Sequence, residues 1–267
     1  MPSIRELNLP TYNTLTRISY LIFALISYMI YLFSTILFVL RLLDATQFLK
    51  PISPEFHIGL IGSICLDITL VVIFGLPHSF MARPNFKKYC RKIIPLPIER
   101  SFYVFIASLT LITLSCLWQP IHFEIWNIKT ILWVYVMYSF FLMGLVLAVV
   151  SSFLIDHFEL FGLSQAWNFL MKTDSRTSEF ATPSLYKLVR HPMMFGMLLA
   201  LWSIPLMSAD HLILSVGMTI YIIIGTLYEE RDLVRVFGEK YQQYKLTIPM
   251  LLPFFRLEQK IKSEKKV

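Results

Sequence analysis

Six long apolar blocks, at about 18–40, 58–77, 101–118, 131–155, 192–208 and 212–228, hold a single charged residue between them, Asp67. A helix needs roughly 20 mostly apolar residues to cross about 30 Å of hydrocarbon, so these blocks read as membrane spans. The composition agrees: 56% of the 267 residues are hydrophobic and 15% charged, where soluble domains carry about a quarter charged residues. A soluble enzyme and a disordered chain are excluded. Three cysteines, Cys65, Cys90 and Cys116, supply neither a disulfide framework nor a CxxC metal pair. The first block is too long for a signal-peptide core and lacks a small-residue cleavage site, which predicts that it stays in the mature protein. The expected fold is an all-α, polytopic membrane helix bundle of about six spans, a single domain over 1–267. Within it, 1–180 is a span bundle, 181–253 a hairpin with an amphipathic helix, and 254–267 a basic tail.

The charges outside the blocks set the orientation. With six spans, alternate connections together with both termini carry 21 of the 24 Lys and Arg residues, and the other connections carry 3. The positive-inside rule places both termini in the cytoplasm. A miscount of one span would mix the two sets, so the asymmetry also supports the count. The net charge of +7 is thereby explained by topology and contact with anionic lipid. No nucleic-acid partner is expected, because no recognition motif accompanies the basic residues.

Polar chemistry concentrates between Leu185 and Pro253. Pro192 suits the first turn of a helix, where its missing N–H matters least. Arg190 and His191 then sit beside the positive end of that helix, a place that attracts carboxylate or phosphate. Gly196 allows close approach to the helix backbone. The steps from Pro192 to Ser208 and from Leu212 to Tyr228 are each 16 residues, about 24 Å of helix. Matched legs return Arg190 and His191 to the same membrane face as Glu229, Glu230 and Arg231. Beyond them, Leu233, Phe237, Tyr241 and Tyr244 mark one apolar face of an amphipathic helix against the membrane or the hairpin, ended by Pro249 and Pro253.

Each of these residues also has an ordinary reading. Arg190 and Arg231 serve equally as interfacial anchors, the glutamates as a dipole-favoured helix start, and the tyrosines as an interfacial belt. Asp67 is either functional or part of a helix–helix hydrogen bond. His78, after Pro77, and His157, in the segment 155–163 leaving the fourth span, line a site or merely pack. No metal is expected, since the six histidines form no HExxH or i, i+4 pair. A P-loop and a GxGxxG are also missing, so a nucleoside ligand would not be held in the Rossmann manner.

The C-terminal pattern RHP…G…YEERDL…FGEKYQQY…IP…P resembles the cofactor-binding half of integral-membrane methyltransferases, the superfamily of isoprenylcysteine carboxyl and phospholipid methyltransferases. Upstream, HSFMARPNFKK (78–88), IERSFYVF (98–105), LWQPI (117–121) and IDHFELFGLSQAW (155–167) resemble the nurim family, which includes bacterial methanethiol S-methyltransferases. The resemblance covers most of 75–253. The nurim branch of animals keeps the upstream blocks and the RHP but lacks the EER, which is intact here, so the resemblance favours the catalytic branch in a bacterial inner membrane over a nuclear inner membrane. It implies S-adenosylmethionine as methyl donor and a small thiol, methanethiol, as acceptor, with dimethyl sulfide as product. An isoprenylcysteine or lipid acceptor, or a non-enzymatic envelope role, is the alternative. By the same resemblance, His191, Pro192, Gly196, Tyr228, Glu229, Glu230, Tyr241 and Tyr244 bind the cofactor. Arg190, Arg231 and Glu230 are the implied catalytic residues, an arginine favouring the thiolate nucleophile. Asp67, His78 and His157 are candidates for the substrate pocket.

Overall fold

The computed structural model describes residues 12–44, 54–173 and 180–253; the basic tail 254–267 lies outside them. Among the described residues, five helices are long and apolar enough to cross a membrane. They are α1 (Thr14–Leu42), α2 (Gly59–Met81), α4 (Leu96–Leu117), α5 (Ile131–Ile155) and α9 (Ala209–Phe237). Shorter helices are α3 (Pro84–Cys90), α6 (His157–Leu160), α7 (Leu163–Met171), α8 (Pro192–Trp202) and α10 (Glu239–Thr247), with a 3₁₀ turn at Ser184–Lys187. The protein is therefore a multi-pass helical membrane bundle. Helix α1 packs on α4, α5 on α8, and α2 on both α4 and α9. Their shared core includes Phe38, Leu70, Phe74, Leu114, Leu201 and Met218.

Local chemistry explains most boundaries. Asn13 caps α1, its side-chain oxygen accepting from the Thr16 N–H at 2.8 Å. Pro97 and Pro192 lie in the first turns of α4 and α8, where proline is tolerated. The α5–α8 contact depends on two glycines. A Cβ on Gly196 would lie 2.5 Å from the Gly144 carbonyl oxygen and 2.8 Å from the Ala148 nitrogen, so only glycine lets these backbones touch.

The sequence expectation of a 192–208 span with legs of equal helical length is corrected. Helix α8 ends at Trp202 and has 11 residues, about 16 Å of rise. Pro205 is the cause: it cannot continue the helix and drives Ile204 toward extended backbone. Residues 203–205 are irregular, with a bend at Pro205, and β2 (Leu206–Ser208) pairs antiparallel with β1 (Glu124–Asn127). The Trp126 indole N–H donates to the Ile204 carbonyl at 3.0 Å, and the Ile128 N–H donates to Pro205. These bonds satisfy backbone that no helix satisfies, which a membrane setting demands. This leg therefore runs from Pro192 to Ser208 as 11 helical residues, three irregular ones and a three-residue strand. The doublet and the glutamates meet as expected, by a different path.

A second correction concerns the amphipathic helix. Helix α9 runs on through the EER to Phe237, and Gly238, at φ +58°, ends it before α10. Two rods joined at a glycine replace one continuous helix. Pro249 and the extended Ile248 before it terminate α10, as the sequence indicated.

Candidate active site at the basic end

Four segments converge on one carboxylate. Glu230, on the inward face of α9, is buried. Its Oε1 accepts from the Arg190 Nε and lies 3.3 Å from the His191 Nε2. Its Oε2 lies 3.1 Å from the Lys245 Nζ. Arg190 also donates through Nη1 to the Lys245 and Ile248 carbonyls. The backbone N–H groups of Arg190 and His191 donate to Pro249 and Met250 at 2.9 and 3.1 Å. The segment before α8, the end of α9, helix α10 and the chain after it are thus tied into one unit. Three basic side chains around a buried carboxylate favour its charged form.

Around this centre lie groups suited to a ligand. Glu229 is half-exposed, with Oε2 3.8 Å from the His191 Nδ1. The Pro192 start of α8 leaves the N–H groups of Met193 and Met194 without intrahelical acceptors. The Tyr241 hydroxyl is buried and has no hydrogen-bond partner, an omission that ordinarily calls for explanation. Burial, with Glu230 nearby, pushes the Tyr241 phenol up, so it remains a neutral donor. Tyr244 donates to the Tyr186 carbonyl; burial outweighs the nearby Arg190 and pushes its phenol up to about 12. Phe180 packs against Phe237, Tyr241 and Tyr244 with ring centroids 5.3–5.8 Å apart, which makes an aromatic patch beside the charges.

Arg190, His191, Pro192, Glu229, Glu230, Tyr241 and Tyr244 are therefore brought together. Other candidates fall elsewhere. Arg231 is exposed, its guanidinium carbon 5.3 Å from the Tyr228 ring centroid, and Arg83 lies over the same ring at 5.1 Å. Tyr228 is thus held between two cations at the rim. The close approach that Gly196 permits is made by Gly144 and Ala148 of α5. His157 is packed at the α1–α5 contact, with Nε2 2.8 Å from the Tyr28 hydroxyl and Nδ1 2.8 Å from the Ser152 hydroxyl. The 155–163 segment packs on α4 rather than covering the Glu230 centre: Asp156 N-caps α6, accepting from the Glu159 N–H at 2.8 Å, and Gly162, at φ +89°, packs on Ser101 of α4. Asp67 lies toward the opposite end, accepting from the Gln119 N–H at 2.9 Å. His78 sits among Phe74, Tyr103 and Tyr221.

Sequence reasoning missed Lys245 and Phe180. Lys245 is four residues after Tyr241, on the same face of α10, a signal that was available. Phe180 is the only aromatic residue of the polar stretch 172–185, a weaker one. Among the described residues no group of His, Cys, Asp and Glu forms a metal site.

A bundle of membrane-crossing helices with this charged, aromatic-lined centre at its basic end defines a multi-pass membrane protein with a built polar site. The comparisons place it more closely. Residues 84–248 match the family described as "Protein of unknown function (DUF1295)". The chain is 44% identical over 194 residues to a methanethiol S-methyltransferase of Pseudomonas deceptionensis, covering 73% of this chain and 74% of that one. It is 38% identical over 237 residues to methanethiol S-methyltransferase 2 of Bradyrhizobium diazoefficiens, covering 89% and 91%. It is 27% identical over 184 residues to nurim of Danio rerio, covering 64% of each. No solved structure matches it significantly. The chain belongs to the DUF1295 family, with the proteins named methanethiol S-methyltransferase as relatives and nurim at lower identity.

Proposed function

We propose that this protein transfers a methyl group from S-adenosylmethionine to a small thiol, methanethiol, giving dimethyl sulfide, in a bacterial inner membrane. The observation that carries the reading is the junction at Glu230, where four segments fold back on one buried carboxylate and leave the Tyr241 hydroxyl beside it without a partner. The names of the bacterial relatives supply the reaction and the acceptor.

The residues fit such a donor. Its carboxylate suits the free N–H groups at the start of α8. Its ammonium or ribose suits Glu229 and the Tyr241 hydroxyl. Its purine suits the faces of Phe180, Tyr241 and Tyr244. When bound, the donor supplies an electrophilic methyl on a sulfonium. The segment 181–253, with Phe180 just before it, is then the donor-binding part, and the rest of 1–180 the supporting bundle.

Arg190 has a positioning role in this account. Its guanidinium is occupied by Glu230 and two carbonyls, so it holds the C-terminal strap on α8 and α9. Arg231, with Arg83, frames Tyr228 at the mouth. Orienting donor and thiol and keeping water out carry much of the rate enhancement. The test is to supply methyl-labelled S-adenosylmethionine and methanethiol to membranes containing the protein. Labelled dimethyl sulfide above control membranes supports the reading; its absence, in protein that is folded and inserted, overturns it.

A further inference from the structure

An acceptor thiol has to lose its proton, and most groups at the Glu230 centre cannot take it. Arg190 and Lys245 are cations bound to Glu230, and they engage both of its oxygens. The Tyr244 hydroxyl is held by the Tyr186 carbonyl, and the Tyr241 phenol is a neutral donor. His191 differs from all of these. Its ring is buried, and its Nε2 lies 3.3 Å from the Glu230 Oε1, within hydrogen-bond reach. A carboxylate only accepts, so this bond places the ring proton on Nε2 and leaves a lone pair on Nδ1. Among the described residues no hydrogen bond occupies that Nδ1. The Glu229 Oε2 lies 3.8 Å from it, too far for one.

The free nitrogen is on the open side of the junction. Nε2 turns to the buried Glu230, whereas Nδ1 turns to Glu229, whose side chain is half-exposed. His191 is also the N-cap of α8. The free N–H groups of Met193 and Met194 therefore follow it within one helical turn, about 5.4 Å of rise. The charged and titratable groups around the ring are Glu229 and Glu230 from α9 and Arg190 from its own segment. Lys245 and Tyr241 of α10 lie beyond Glu230. Two carboxylates flank the ring, one at each nitrogen, where they stabilise the imidazolium that forms when Nδ1 takes a proton. The donor's sulfonium loses its charge in the same step, so the net charge of the site does not change.

We propose that His191 is the general base for the acceptor thiol, with Glu230 fixing its tautomer; this rests on the methyltransferase reading above. In the step, the thiol S–H bond breaks and its proton passes to the His191 Nδ1. The electron pair left on that sulfur forms the new bond to the methyl carbon. The sulfonium–methyl bond breaks, and its electron pair goes to the donor's sulfur. Two neutral thioethers result, and the imidazolium returns its proton to water past the half-exposed Glu229.

The test compares wild type, His191→Gln and His191→Asn. The glutamine keeps an amide N–H to donate to Glu230 but offers no base. S-adenosylmethionine binding is measured by calorimetry, and methylation is followed from pH 6.5 to 10. The acceptors are methanethiol and 2,2,2-trifluoroethanethiol, a small thiol that its fluorines make more acidic. Donor affinity stays within about tenfold of wild type in at least one variant. In that variant, methanethiol methylation near pH 7 falls by about 10²-fold or more, as for loss of a general base. The deficit shrinks toward alkaline pH or with the acidic thiol, because a thiol already ionised needs no base. A deficit that neither condition reduces overturns the proposal, as does unchanged methylation. Loss of donor binding in both variants also overturns it and leaves His191 as a donor-binding residue. A wild-type protein that methylates no thiol refutes instead the reading on which the proposal rests, so the wild-type arm tells the two failures apart.

Discussion

Replacing Glu230 by Gln keeps the shape of the central side chain and removes its charge. Glu230 is 2% exposed and takes charge-assisted bonds from Arg190 and Lys245, with His191 also in contact. Hydrogen bonds to charged groups contribute about 1.5–3 kcal/mol against about 0.5–1.5 for neutral ones. Two such downgrades remove about 2–3 kcal/mol, taken at the low end because Lys245 is partly exposed to solvent and its share is screened. The loss falls on the junction that docks α10 and residues 248–250 against α8. At 1.4 kcal/mol per tenfold, donor affinity weakens by about 30-fold or more. The assays are calorimetric titration with S-adenosylmethionine and limited proteolysis after Gly238, with a double cycle including Lys245→Met. Groups sharing one network couple non-additively, so the double variant is less impaired than the two single losses combined. Donor affinity within threefold of wild type, with unchanged proteolysis, would refute the claim that this carboxylate organises the site.

Tyr241→Phe removes a buried hydroxyl that has no partner in the protein; thermal stability in detergent should hold or rise, while donor affinity falls by about tenfold. Gly196→Ala forces a Cβ against the Gly144 and Ala148 backbone and should destabilise by about 1–3 kcal/mol, seen as a lower melting temperature; an unchanged melting temperature argues against the close α5–α8 contact. Asp67→Ala strips the acceptor from the Gln119 N–H and should lower stability by about 1–3 kcal/mol, with donor affinity unchanged by titration.

The spans were legible because apolar blocks of membrane length have few alternatives, and Ile131–Ile155 was bounded to the residue. The meeting of the arginine–histidine doublet with the glutamates was also legible, since a short turn between two apolar runs has to return the chain. The path was not: Pro205 stood inside an apolar block, and its effect depended on whether β1, some 80 residues earlier, was there to pair with 206–208. The direction of single side chains was hidden too. Consecutive helical residues point about 100° apart, so Glu229, Glu230 and Arg231 cannot all face one centre. Only Glu230 turns inward, and which of the three does so depends on how α9 is rotated against α2. Asp67 and His157 read as candidates because a polar group within or beside an apolar stretch is conspicuous. Their partners, Gln119 for one and Tyr28 and Ser152 for the other, lie in segments whose contact no local pattern announces.

Irradiating the purified protein with a photoreactive, labelled S-adenosylmethionine analogue and mapping the modified peptide tests the fold-back as a donor site most directly. The account predicts label confined to the 180–253 segment, centred on Phe180, Tyr241 or Tyr244, and competed away by unlabelled donor. Competable label instead in the open groove lined by Leu25, Asp156, Phe158, Glu159 and Trp167, or no competable label anywhere, would contradict it.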